Sequence, residues 1–383
     1  MANTLTNLFP DLYEALDVVS RELVGFIPAV TMDARAEMAS LNQTIRVPIT
    51  PAAAAEDITP GRIPPDTGDQ TIANTTIAIT KLRAVPFRWS GEEQKGIAPG
   101  AGYGSIRVQQ MAQAMRTLCN EVEADLAALY TKASRAYGTA GTAPFGSSPA
   151  LGDAANVLRI LKDNGCPEGD VHLIVDTAAG VNLRSLTQLT KANEGGGDSF
   201  LRQGVLLPIF GMDIRESAQV KSHTKGTGAS YEINNGAGYA IGSTTIAADT
   251  GTGTILAGDV LTNSTVTADT NKYVVGTALS GGSLALNKPG LRVAWADNNV
   301  LAVGNSYRAN LAFHRSAMVL VARPPAVPEE GDLAIDRQLI TDPRSGLTFQ
   351  VAIFPEYYRS RYEIALAWGV ANIKPEHTAI LLG

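Results

Sequence analysis

Apolar side chains recur every three or four residues through the middle of the chain. Val108, Met111, Met115, Leu118, Val122, Leu126, Leu129 and Ala133 fall on one stripe of an α-helix that the spacing predicts from Ser105 to Ala136. Ser105 is placed to cap its start and Gly138 to stop its end. At 1.5 Å per residue such a helix spans roughly 45–50 Å, several times the usual three turns. Its other faces carry Gln109, Gln113, Arg116, Glu121, Glu123, Asp125 and Lys132, expected to be solvated. A helix so long, with so narrow a stripe, reads as a beam on which other elements pack.

Upstream, Leu12, Leu16, Val19, Leu23 and Phe26 share a stripe in a short amphipathic helix predicted over 5–27, with Pro10 near its start. The period then changes to two. Ile45, Val47 and Ile49 alternate with polar neighbours, and Pro48 suits an edge strand. Ile77 and Ile79, then Val85, Phe87 and Trp89, alternate again, with the polar Lys81-Leu82-Arg83 between them. The pattern predicts a long β-hairpin with a proline-rich flank (Pro51, Pro60, Pro64, Pro65), suited to reaching another molecule because an isolated two-stranded hairpin is marginal in water.

Downstream, 137–149 is turn-rich, and 153–163 is a second helix carrying Ala154, Val157, Leu158 and Leu161. The continuous apolar run at 171–176 predicts a buried strand, Thr177 is placed to cap a third helix, 191–199 is a polar loop, and 205–217 returns as strand. Residues 222–306 differ in kind. They are rich in Gly, Thr, Ala and Ser, and short β-type runs are separated by turns such as Asn235-Gly236 and Gly281-Gly282, which predicts a small all-β barrel or sandwich inserted into a loop of the α/β module. Strands resume near 318–322, 347–354 and 361–375, with a last one at Leu381-Leu382.

Composition narrows the function classes. A chain of 383 residues can bury several cores. A net charge of −6 gives no support for a polyanion groove. Cys119 and Cys166 make no disulfide framework and suit a reducing cytosol, with Cys119 expected to be buried beside the helix stripe. The first residues lack the pattern of a signal peptide, and no apolar run is long enough to span a bilayer. His172, His223, His314 and His377 lie far apart without metal-ligand spacing. His314 is the most tempting of them, and its plainer role is a structural hydrogen bond. The glycine clusters at 195–197 and 236–241 match neither a phosphate loop nor a dinucleotide fingerprint, and there is no Gly-x-Ser-x-Gly. No catalytic, metal or cofactor site is nominated.

Two stretches, LVGFIPAVTMDARAEMASLNQTIRVPI at the start and NLAFHRSAMVLVARPPAVP with IALAWGVANIKPEHTAILL at the end, resemble the major capsid (coat) proteins of short-tailed double-stranded-DNA bacteriophages of the inserted-domain type. The resemblance implies an α+β architecture, the Johnson fold of tailed-phage capsids. Its parts would be an N-terminal arm (1–44), an extended hairpin loop (45–100), a peripheral domain on the spine helix (101–149 with 323–361), an axial α/β domain (150–221, 306–322 and 362–383) and an inserted β domain (222–305). It also implies a non-enzymatic shell of pentamers and hexamers that encloses double-stranded DNA, with scaffolding, portal and decoration proteins as partners and assembly in the host bacterial cytoplasm. Within it, Arg62, Arg83 and Arg88 with Asp66 and Asp69 are candidate intersubunit contacts, against a plainer reading as solvated charges. The alternative with the same fold is an encapsulin-like compartment enclosing cargo enzymes, and a third reading is an α/β enzyme with a β accessory domain.

Overall fold

The computed structural model describes residues 25–33, 37–50, 53, 55–58, 60, 69–97, 102–146, 151–186, 189, 208–341 and 346–383. The helix expected at 5–27 lies outside them except for Gly25–Ile27, which lead into a single 3-10 turn, Ile27–Ala29. The loop expected at 191–199 lies outside them as well.

The first half of the chain runs β1 (Thr31–Asp33), β2 (Thr44–Ile49), β3 (Ala73–Ala78), β4 (Lys81–Ser90), a short helix α1 (Gly91–Ile97), the spine helix α2 (Gly102–Ala128), β5 (Arg135–Tyr137), α3 (Gly152–Asp163), β6 (Val171–Val175), α4 (Thr177–Ser185), β7 (Met212–Glu216) and β8 (Ser222–His223). Six short strands follow: β9 (Tyr231–Ile233), β10 (Thr245–Asp249), β11 (Val260–Asn263), β12 (Lys272–Ser280), β13 (Ser283–Leu286) and β14 (Val300–Val303). The chain closes with β15 (Tyr307–His314), β16 (Met318–Arg323), β17 (Asp336–Thr341), β18 (Thr348–Glu356), β19 (Arg359–Asn372) and β20 (Thr378–Leu382). The α+β class expected from the sequence is what the chain adopts.

A six-stranded sheet is built around β19, whose first part pairs with β4 and β18 and whose last part pairs with β16; β1 and β17 form the edges. Alternation along β19 sends Tyr362, Ile364, Leu366 and Trp368 to one face, where they share a core with Met111, Met115, Leu118, Val122 and Leu126 of α2 and with Phe349, Val351 and Ile353 of β18. The helix stripe therefore faces these strands, as its pattern requires. Phe87 and Tyr362, register partners on β4 and β19, stack at 5.2 Å.

A second, larger sheet runs β11-β14-β9-β10-β13-β12-β5-β20-β15-β6-β7, with β8 on β15. Helix α3 buries Ala154, Val157, Ile160 and Leu161 against Leu173, Val175, Ala379 and Leu381 on one face, while Ile174, Leu311, Phe313 and Ile380 join the spine-helix core on the other. At the far end β11 also pairs with β12, which closes β9–β14 into a six-stranded barrel around Ile233, Leu261, Val275, Leu284 and Trp295. The chain enters this barrel from β8 and leaves it into β15, and those two strands pair through His223 and Tyr307. Entry and exit are adjacent, so the barrel is an insertion.

Several expectations fail locally. Helix α2 stops at Ala128, passes through a 3-10 turn at Leu129–Lys132 and is extended at Ala133. Residues 135–137 instead form β5, because that strand pairs with β20 on one side and β12 on the other, and the sheet bonds outweigh the local helical period. Ser105 consequently lies inside the first turn of a helix that begins at Gly102, and Gly138, at φ +102°, ends β5 and not the helix. Asp176, not Thr177, caps α4, its Oδ1 accepting from the Ala179 amide at 2.9 Å. Glu123, expected on a solvated face, is fully buried.

The hairpin is also arranged differently. Its strands are β2 and β3, in register from Thr44↔Ala78 to Ile49↔Ala73, so the proline-rich stretch joins the two strands and is not a flank. Lys81-Leu82-Arg83 belongs to β4, which leaves the hairpin for the six-stranded sheet. The divisions expected at 322/323 and 361/362 cut β16 and β19, both of which lie whole in that sheet.

Candidate assembly surfaces

Among the described residues no group of three or more His, Cys, Asp and Glu is placed to hold a metal. One constellation has the outward form of a catalytic relay. His223 Nε2 lies 2.8 Å from Asp259 Oδ1, and its Nδ1 lies 2.9 Å from the Tyr130 hydroxyl. Asp259 also accepts from the amides of Gly226 and Leu256, at 3.0 and 2.7 Å. With Asp259 oxygens already accepting from two amides, Nε2 is the ring nitrogen placed to donate to the carboxylate and Nδ1 the one placed to accept from the Tyr130 hydroxyl. Burial pushes the Tyr130 phenol up, and the Asp259 charge adds to that, which is the wrong direction for a nucleophile. Tyr307, buried and also pushed upward, donates to the Gly258 carbonyl at 2.6 Å. The four residues come from the end of the spine, β8, the barrel and β15, so they tie the stem of the insertion to the host. No sequence spacing announces this knot, since its members lie up to 177 positions apart between Tyr130 and Tyr307.

His314 makes the structural hydrogen bond expected of it, its Nδ1 accepting from the Ser316 amide at 3.2 Å. His172 is buried beside Phe313, with its imidazole pushed toward the neutral form chiefly by burial and then by Arg215 and Arg315. Cys119 is buried, as its place beside the stripe predicts.

Of the five candidate contact charges, three (Asp69, Arg83 and Arg88) lie among the described residues. Arg62 and Asp66 lie outside the described residues, and Asp69 is exposed in the stretch leading to β3. Arg83 and Arg88 sit on β4 and face acidic groups of their own chain. Arg83 Nε is 3.7 Å from Glu121 on the spine helix, and Arg88 Nε is 3.1 Å from Glu356, which also meets Arg359. The Arg88 and Arg359 guanidiniums hold the Glu356 carboxyl below its usual range.

Among the exposed large apolar groups, some lie on the stretch between β2 and β3 and some at the turn between β18 and β19. The β2–β3 hairpin has one apolar face, with Ile45, Val47 and Ile77 packed against Val319, Val321 and Ala367 of the body. Beyond that contact Ile58 and Ile72 are exposed, at 97% and 67%. At the turn between β18 and β19, Tyr357 and Tyr358 are 89% and 81% exposed and pack edge to face on each other. Single exposed apolar residues are ordinary, whereas adjacent exposed aromatic residues such as Tyr357 and Tyr358 make a candidate contact surface. The Tyr pair was overlooked in the sequence, where Pro-Glu-Tyr-Tyr-Arg-Ser between two alternating runs is a legible signal for aromatic residues on a turn.

Among solved structures, the capsid of cyanophage P-SCSP1u overlays with a TM-score of 0.50 at 13% identity, covering 94% of this chain and 88% of that one. The fold is that of a phage capsid protein. The mature capsid of bacteriophage PhiM1 overlays at 0.49 (11% identity, 94% and 87% covered), and a virus-like particle from Pyrococcus furiosus at 0.46 (11% identity, 98% and 99% covered). No family model matches the sequence, and no curated protein does. The hairpin and the tyrosine turn lie at opposite ends of the β4–β19 ladder, beside Lys81↔Trp368 and Ser90↔Arg359 respectively.

Proposed function

We propose that the chain is a major capsid protein that assembles into the icosahedral shell enclosing a double-stranded-DNA phage genome. The observation that carries the proposal is the overlay of 94% of this chain on a phage capsid. Exposed apolar groups such as Ile58, Ile72, Tyr357 and Tyr358 suit a subunit that makes wide, shallow, repeated contacts with copies of itself.

In this reading residues 1–44 are the arm, and β2–β3 with the proline-rich stretch between them is the extended loop. The six-stranded sheet with α2 is the peripheral domain, taking in all of β16 and β19. The sheet from β5 to β7 with α3 and α4 is the axial domain, and the barrel is the inserted domain. Pentamers and hexamers of the chain would form with a scaffolding protein and meet a portal, decoration proteins and packaged DNA, in a virion assembled in the host bacterial cytoplasm. No helix among the described residues is long and apolar enough to cross a membrane.

Expression of the chain alone and with the neighbouring genes of its source genome, followed by size-exclusion chromatography and electron microscopy, tests the reading. Closed shells are expected, holding nuclease-protected DNA when the packaging genes are present. Monomer under every condition overturns shell formation, and shells that hold an enzyme but never DNA overturn the capsid role.

A further inference from the structure

Glu123 interrupts the apolar side of the spine helix between Val122 and Leu126, and it is fully buried. Its Oε1 accepts from the amides of Phe26 and Ile27, both at 2.9 Å. Its Oε2 accepts from the Phe26 amide at 3.0 Å and from the Ser217 hydroxyl at 3.1 Å. The segment held in this way is also seated by shape. Phe26, Ile27, Ala29 and Val30 are buried, the Phe26 ring lies parallel to Phe313 at 6.3 Å, and Arg315 donates to the Pro28 carbonyl at 3.2 Å. At Gly25 any Cβ would fall 2.7 Å from the Ser217 Cβ, so the backbone passes where only glycine fits.

We propose that Glu123 is a proton-sensitive docking post for the root of the N-terminal arm: its protonation state sets how firmly Gly25–Ile27 are held to the spine helix and to Ser217. The inference concerns the subunit by itself, and it stands or falls separately from shell formation.

Both protonation states fit the geometry. Ionised, the carboxylate accepts from both amides and from the hydroxyl. Protonated on Oε2, it donates to Ser217 Oγ while Oε1 keeps both amides. Burial pushes its carboxyl up to about 7, and the bonds from Ile27, Phe26 and Ser217 pull the other way without cancelling burial. When the root is unseated the group meets water and returns to its ordinary value near 4.5. Seating therefore takes up a proton, is firmest below that ordinary value, and weakens as pH rises through about 7.

Charged groups on the surrounding elements are already engaged. Asp125 and Glu121 on the helix meet Lys81 and Arg83 of β4. Glu216, beside Ser217, pairs with Arg184 of α4. On the side of β15, Arg315 faces Asp170 as well as Pro28, and His172 packs on Phe313 and is held toward neutrality. The segment Gly25–Ala29 brings no charge of its own.

Hydrogen exchange of the full chain, corrected for the intrinsic pH dependence of exchange, reads the seating directly. Between about pH 5.5 and pH 8, protection of amides 26–30 is expected to fall by roughly thirtyfold, while the amides of β19 stay level. Glu123→Gln mimics the protonated acid, with its carbonyl accepting the two amides and its amide group donating to Ser217, so it should keep the protection and flatten its pH dependence. Glu123→Ala should lose the protection at every pH. A wild-type chain with no pH dependence at 26–30, or a Glu123→Gln chain with the wild-type slope, overturns the proposal. Should Glu123→Ala fail to fold, the comparison of Glu123→Gln with wild type still decides it.

Discussion

Replacing Leu126 by aspartate tests the organisation of the subunit most severely. Leu126 is fully buried in the core that α2 shares with β18 and β19. Losing the leucine forfeits about 2–3 kcal/mol of burial. The new carboxyl has no partner there, which costs about 1–3 kcal/mol, and keeping it neutral near pH 7 costs about another 4 kcal/mol. Glu123 lies three residues away on the same helix and is also buried, so an ionised Asp at 126 would face a like charge. The combined penalty of about 7–10 kcal/mol is comparable to the whole stability of an ordinary domain, about 5–15 kcal/mol. Leu126→Asp should therefore be insoluble and shell-negative, whereas Leu126→Ala should lose about 2–5 kcal/mol. Gln113→Ala, on the exposed face, should stay within about 0.5 kcal/mol of the parent. Urea unfolding followed by the fluorescence of Trp89 and Trp368, which share that core, gives the graded values. A soluble Leu126→Asp chain with the parental midpoint would show that the stripe had been assigned to the wrong face.

Two further expectations are cheaper to check. Arg323 is 8% exposed and holds Asp33 and Glu37 at 3.0 and 2.9 Å, so Arg323→Met should loosen the segment from β1 to residue 39 and cost about 1–3 kcal/mol in a thermal melt. If Tyr357 and Tyr358 are contact groups, replacing both by serine should leave the monomer's melting temperature unchanged while reducing the yield of closed particles in sedimentation. Unchanged particle yield would remove the turn from the contact surface.

Much of the architecture was legible because the two hydrophobic periods separate cleanly. The three-to-four spacing from Met111 to Leu126 and the alternation in β18 and β19 describe faces that become buried, and the alternation in β2 and β4 describes faces that become half-buried. The stretch at 222–305 was legible as a small all-β unit, barrel or sandwich, from its regularly spaced turns, and the β11–β12 pairing decides for the barrel. What failed was decided by partners remote in sequence. Ala133 and Ala136 continue the helical spacing, yet β12 and β20 claim residues 135–137. Glu123 reads as a surface acid until the Phe26 and Ile27 amides are brought to it from almost a hundred positions away. Arg83 and Arg88 look like free charges on a reaching loop, but β4 carries them back beside Glu121 and Glu356. Hydrophobic periodicity reports which face is buried; it carries no information about which polar group is waiting there.

The bonding of β12 to β5 bears on how such subunits can be recombined. An insertion whose ends lie side by side invites replacement by a short linker or by another domain. Here Lys272 and Tyr273 pair with Ala136 and Arg135, and the buried Arg135 guanidinium donates to Asn271 at 2.7 Å. Excising the barrel at its stem would therefore strip one edge from β5 and leave Arg135 with Asn164, the Ile160 carbonyl and the more distant Asp163 carboxylate. A working chimaera has to bring its own strand and its own acceptor for Arg135, so the unit that can be exchanged is the barrel together with the edge it completes.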